Sequence, residues 1–147
     1  MGKNFVMPAD GQRFEADWPT KVDVPVDGGK LESREIATRF AQISPEDKER
    51  FFKEAVAEVA ELTAEAESAV RKMGPVMAIL LAPDTALAFL EEVIVDIKKL
   101  KQLDASGKAE DVSYSVSALK ALCSLEYIKM GLIRSYFSFH TGVVEKN

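Results

Sequence analysis

The sequence predicts an α+β protein, predominantly α, in which an N-terminal β-hairpin precedes a small bundle of about four to five helices. Two observations carry this. Between Thr20 and Phe40, apolar and polar residues alternate with a period of two around a glycine turn, the pattern of a half-buried hairpin. From Ser44 onward, apolar residues recur near the 3.6-residue period of helices, punctuated by Gly, Pro and one polar segment. A chain of 147 residues fits one domain with a real core. That domain, 1–147, divides into an extended arm (1–18), the hairpin (19–43), a helical part (44–140) and a C-terminal tail (141–147).

The arm mixes Gly, Pro and polar residues with isolated aromatics, and is expected to have little structure of its own. Trp18, just before Pro19, is placed to anchor it, either on the helices or on a partner. In the first strand Val22, Val24 and Val26 alternate with Lys21, Asp23 and Pro25. Pro25 has no N–H for a ladder bond, which places this strand at an edge. Asp27-Gly28-Gly29 tolerates the positive φ of a reversal. The return strand sets Ile36, Thr38 and Phe40 on one face and Glu35, Ala37 and Arg39 on the other. An isolated hairpin is marginal in water. This one is expected to fold back on the chain's own helices, with strand pairing to another subunit as an addition.

One long helix is expected from Ser44 to Met73. Ser44 is its N-cap, Pro45 takes the first position, and Asp47 stands where a capping box puts its acid. Phe52, Val56, Val59, Thr63, Val70 and Met73 make one stripe, widened by Phe51, Ala55, Leu62 and Ala69. At 1.5 Å per residue it would run roughly 43 Å, with Arg71-Lys72 complementing the dipole before Gly74-Pro75. Val76 to Leu81 reads as a helical turn, and a further helix from Asp84 to about Lys101 carries Leu87, Leu90, Ile94 and Ile97. "LDASGKAEDVS" reads as a polar loop and "SVSALKALCSL" as a short helix. The last helix, Glu126 to His140 with Gly142 as its C-cap, is apolar nearly all round. It therefore belongs either at the bundle centre or at a subunit contact.

The chemistry-bearing residues are sparse. His140, the only histidine, sits at a helix end where a charged imidazole would favour the dipole. Cys123 lies on a mostly apolar stretch and reads as a small core residue rather than a nucleophile. Glu54, Glu58, Glu61 and Glu65 recur at helical spacing as a solvated face, not a metal cage. Asp27-Gly28-Gly29 lacks the spacing of a phosphate loop. No catalytic residue, metal site or cofactor is expected, and no enzyme. A net charge of −5 argues against nucleic acid as a partner, and the last helix carries only Lys129 and Arg134. The N-terminus has no apolar run of the signal-peptide kind, Val6 breaks the myristoylation pattern, and "PVMAILLAP" is short of the ~20 residues of a membrane span. A soluble intracellular protein is expected, with no membrane partner.

Taken in order, these pieces resemble the tail assembly chaperones of long-tailed bacteriophages. "DWPTKVDVPVDGG" is similar to that family's opening aromatic-Pro element, Val-rich strand and Gly turn. "IATRFAQISPEDKERF" resembles its second strand and helix start. "LEEVIVDIKKLKQLDASGKAEDVSYSVSALKAL" resembles its helix, Gly-containing loop and following helix. "LEYIKMGLIRSYFSFHTGVVEKN" resembles its final apolar helix with an aromatic pair, a Gly and a charged stop. Where members often carry Trp-x-Gly-Val, this chain has Ile97-Lys98-Lys99-Leu100. The resemblance implies a protein of the host cell cytoplasm, absent from the mature virion. It would bind the tape measure protein and keep it soluble while tail tube protein assembles around it. This sequence would be the short form beside a frameshifted longer form of itself, with homo-oligomers possible. The spare apolar positions Phe51, Leu62, Tyr136 and Phe139 are the expected partner contacts. The alternative reading is a structural adaptor of the phage particle, a tail completion or head–tail connector protein. A small regulatory helical protein is a weaker rival.

Overall fold

The computed structural model describes residues 2–142. The architecture is α+β: strands gathered mainly at the N-terminus, and a bundle of six helices that dominates the rest. Strand β1 (Glu15–Asp17) and strand β2 (Thr20–Val26) both run antiparallel to β3 (Lys30–Ala41). Glu15 faces Ala41, Thr20 faces Ile36 and Val26 faces Lys30, so β1 and β2 keep one register along the same edge of β3. They form a single strand broken at Trp18-Pro19, across which Trp18 N–H still donates to Thr38 C=O at 3.0 Å. Buried Thr20 and Thr38 join their hydroxyls across this break at 3.0 Å.

The arm departs from expectation at its end, because Glu15–Asp17 pair with β3 rather than trailing as unstructured chain. Its aromatics fix it in place. Phe14 stacks on Phe139 with ring centres 6.2 Å apart, and Trp18 meets the same ring edge-on at 5.9 Å. Trp18 thus anchors the arm on the chain's own last helix.

The long first helix is broken. Helix α1 covers Pro45–Thr63, with Asp47 N–H donating to the Ser44 hydroxyl at 3.0 Å as expected of the cap. It stops where Thr63 turns its hydroxyl back to the Val59 carbonyl and Ala64 adopts a left-handed φ of 58°. Helix α2 (Glu67–Arg71) then folds back, so that Arg71 pairs with Glu49 and lies 4.6 Å over the Phe52 ring. In a continuous helix Arg71 and Glu49 would stand about 33 Å apart. The reversal also buries Val70 completely. Arg71 therefore closes a tertiary contact rather than complementing the dipole of one long helix.

Gly74, at φ 87°, leads into α3 (Pro75–Leu81), a helix rather than a single turn, and α4 (Pro83–Val93) follows. The helix expected to continue to Lys101 ends at Val93. Ile94–Lys98 form β4 instead, pairing with Ala37–Phe40 on the edge of β3 opposite β1 and β2. Two causes favour the strand. The β-branched run Ile94-Val95 suits a pleated surface, and the β3 edge supplies partners for its backbone. The register shifts between Arg39 and Phe40, leaving Val95 as an extra residue. That shift turns both Ile94 and Ile97 inward although they are three apart, which is the spacing that reads as helical.

The polar segment is also more ordered than a loop. Lys101–Leu103 (β5) and Ala109–Asp111 (β6) pair across a turn in which Asp104 accepts from Ser106 N–H at 2.9 Å and Lys108 N–H at 3.0 Å. Helix α5 (Val116–Cys123) is capped by Ser115, and α6 (Glu126–Thr141) ends at left-handed Gly142 as expected. The expected tail beyond Gly142 lies outside the described residues.

Helix α6 is the centre of the molecule. It packs on β2 on one side and on α3, α4 and α5 on the others. A β-carbon added to Gly131 would stand 2.5 Å from Val22 Cγ1, so the helix backbone rests directly on the strand. One turn on, the Ser135 hydroxyl reaches the Pro19 carbonyl at 3.4 Å. The hairpin therefore packs on the chain's own helix, which supplies the face a lone hairpin lacks. Its far end, residues 27–35, is exposed.

Candidate functional site

Three of the four expected partner positions lie in the core. Phe51 is 3 % exposed, Phe139 4 % and Tyr136 fully buried, whereas Leu62 is 64 % exposed. Tyr136 stands at the middle of an aromatic cluster, with Phe89 at 5.2 Å and Phe40 at 5.5 Å, both edge-on. Phe51 meets Phe89 edge-on at 5.3 Å. Edge-to-face packing of this kind adds to the area these rings bury. The aromatic pair of the last helix thus holds sheet to helices.

The polar atoms of this cluster are matched. Ile43 N–H donates to the Tyr136 oxygen at 3.1 Å, and the Tyr136 hydroxyl is also hydrogen-bonded to His140 Nδ1, 3.1 Å away. Burial pushes the Tyr136 hydroxyl up to about 12. Burial likewise pushes the His140 imidazole below its ordinary value, with the Lys48 charge adding to the effect. His140 stands in the last turn of α6 as expected, but burial disfavours its charged form there, and its ring is hydrogen-bonded to Tyr136.

Cys123 is half-buried, and desolvation pushes its thiol up to about 11, so the protonated form prevails at neutral pH. Lys129 is buried to 8 % exposure and donates to Glu126 at 3.0 Å, which removes it from any basic face. Glu58 departs from the solvated face assigned to it, while Glu54, Glu61 and Glu65 are exposed as expected. Its carboxylate reaches across to the start of α4, accepting from Asp84 N–H at 2.9 Å, Thr85 N–H at 2.8 Å and the Thr85 hydroxyl at 2.7 Å. Partial burial pushes the Glu58 carboxyl up, but these hydrogen bonds outweigh it and hold the group below its ordinary value. Ala82, at the N-cap of α4, has no side chain for the task, so α1 supplies the cap. Among the described residues, no group of three His, Cys, Asp or Glu side chains is placed to hold a metal ion.

Some of the exposed side chains are large and apolar. On α3, Ala78, Ile79 and Leu80 are buried, while Met77 and Leu81, one turn apart, are 45 % and 48 % exposed. Met73 precedes this helix at 46 % exposure, and Leu62 stands at the end of α1, which packs on α3. A second apolar hollow of about 210 Å³ lies between the β5–β6 hairpin and α5, lined by Leu100, Val112, Ala118, Ala121, Leu122 and Leu125. Periodicity does not single out Met77 and Leu81, because residues 75–81 are apolar on every side. No family model, curated protein or solved structure matches the chain.

Proposed function

We propose that this chain is a tail assembly chaperone of a long-tailed phage. It binds the tape measure protein in the host cytoplasm, keeps it soluble and promotes assembly of the tail tube protein around it. The observation that carries the reading is the exposed Met77–Leu81 face of α3, with Met73 just before it in the chain and Leu62 exposed at the end of α1, on a protein of net charge −5. A flexible, Met-rich face can cover the apolar stripes of a long helical client without demanding one sequence. The net negative charge helps keep the resulting complex in solution. The order of sequence elements supports the same reading. In this scheme Leu62 remains a partner contact, Met73, Met77 and Leu81 join it, and Phe51, Tyr136 and Phe139 act in the core. The chain works beside a frameshifted longer form of itself and leaves before the virion is complete.

Co-expression with the long helical protein encoded nearby tests the proposal. The client should stay in solution only when this chain is present, and should co-purify with it. Met77→Glu with Leu81→Glu should abolish both effects while leaving the circular dichroism and melting of the chain unchanged. A client that is insoluble either way sinks the reading. Recovery of the chain from purified virions would favour the adaptor instead.

A further inference from the structure

The edge of β3 opposite β2 is covered by β4 only from Ala37 onward. Residues 30–36 of that edge have no strand beside them among the described residues, and Lys30 to Glu35 are exposed. The hairpin's other outer edge differs. Pro25 lies on β2, and a proline on a free edge blocks pairing because it offers no N–H. The open β3 edge contains no proline.

The ladder fixes which groups are free. Trp18 N–H donates to Thr38 C=O, and hydrogen-bonded pairs alternate along an antiparallel ladder. The even-numbered residues of β3 from 30 to 38 therefore turn their backbone groups toward β1 and β2. Leu31, Ser33 and Glu35 turn theirs outward, to the open edge. We infer that this edge pairs antiparallel with the same edge of a second copy of the chain, about a two-fold axis at Ser33.

The register follows from symmetry and charge. A two-fold axis normal to the sheet must pass midway between a residue and its own copy, since only then do facing side chains share a face. Centred on Ser33, the midpoint of the open stretch, all of residues 30–36 find partners. Glu32 then faces Arg34 of the second copy, and Arg34 faces its Glu32. Centring one residue earlier would set Glu32 against itself and Lys30 against Arg34, and one residue later Arg34 against itself. Like charges placed directly opposite are destabilising, so the Ser33 register is the charge-matched one. Glu32 and Arg34 already pair within the chain at 2.9 Å while both stay about half exposed, leaving each able to take a second partner. The outward groups of Leu31, Ser33 and Glu35 then bond Glu35, Ser33 and Leu31 of the second copy, giving one sheet that runs through both molecules. This inference does not rest on the chaperone reading, since it uses none of the surface of α3.

So short a strand pair falls below the size of a permanent interface, so association should depend on concentration. Sedimentation velocity from about 10 µM to about 1 mM should show the mass rising from 16.2 kDa towards twice that value. S33P removes an outward N–H and no bond to β2, so it should hold the chain at the monomer mass with its melting curve intact. E32R should do the same by opposing like charges, and E32R combined with R34E should restore association. A mass fixed at the monomer value throughout would overturn the inference. So would association that E32R leaves unchanged, which also decides the matter should S33P fail to fold.

Discussion

The seating of the hairpin on α6 can be tested at a single methyl group. Gly131→Ala places a carbon 2.5 Å from Val22 Cγ1, whereas carbon atoms pack best at about 3.5–4.0 Å. Strand and helix must separate by about 1 Å, or Val22 must leave its rotamer. Neither is easy, because Val22 is 5 % exposed and β-branched. Overpacking of this kind costs about 1–3 kcal/mol. Alanine in place of glycine inside a helix returns about 0.8–1.0 kcal/mol, so the net destabilisation should lie between about 0 and 2 kcal/mol. The single variant is therefore a poor test, and the double-mutant cycle is a sharp one. Val22→Ala alone should cost about 2 kcal/mol in lost burial. Combined with Gly131→Ala, the new methyl occupies the vacated space, so the pair should cost about 1–2 kcal/mol less than the sum of the singles. Urea unfolding followed by circular dichroism gives all the terms. Additivity within about 0.3 kcal/mol would mean that Val22 and Gly131 are not neighbours, and the account of the hairpin would fall with it.

Tyr136→Phe should cost about 1–3 kcal/mol by orphaning the buried Ile43 N–H, measured by the same unfolding. Because the Tyr136 hydroxyl is raised to about 12, its contribution is intact below pH 10 and lost as pH climbs through 12; the variant should lack that alkaline decline. Glu58→Ala should cost about 0.5–2 kcal/mol through the lost cap of α4. The carboxyl is held below its ordinary value, so the gap between wild type and variant should be full at neutral pH and shrink as pH falls below about 4. Ala64→Gly should raise the melting temperature, since Ala64 holds a left-handed φ of 58° that costs an L side chain about 1–2 kcal/mol. Part of that gain is returned as unfolded-chain entropy, leaving about 0.5–1 kcal/mol, and a lowered melting temperature would contradict the break at Ala64.

Where one local signal had one meaning, the sequence read correctly. The valine alternation, the Asp27-Gly28-Gly29 turn, the Ser44 cap and the Gly142 stop all appear at their expected places. Misreadings arose where tertiary pairing overrode local period. The apolar stripe runs past Thr63 into α2 because Val70 and Met73 keep helical spacing, and nothing local marks Ala64 as a reversal. Ile94 and Ile97 mimic a helix because a register shift restores their inward face. The role of Glu58 depends on a helix start 26 residues away that no spacing rule connects to it. Gly131 did leave a signal. A glycine inside a helix costs stability and so marks a close approach, and Ser135 one turn later extends the same small face.

That small face explains why the aromatic side chains of α6 mislead. With Gly131 and Ser135 against β2, the sheet can approach closely, and the helix turns Leu132, Tyr136 and Phe137 into the bundle. A helix that is apolar all round then has no side left for a partner. Surfaces for other chains must be sought away from α6, and two candidates are the outer face of α3 and the open edge of β3. These are separated by α6 itself, which packs on α3 and on β2. The two should therefore act independently. Met77→Glu should leave concentration-dependent self-association unchanged, while S33P should leave the client soluble. If either substitution disrupts both measurements with the fold intact, the two surfaces are one, and the layered arrangement of sheet, α6 and α3 does not govern how the chain meets its partners.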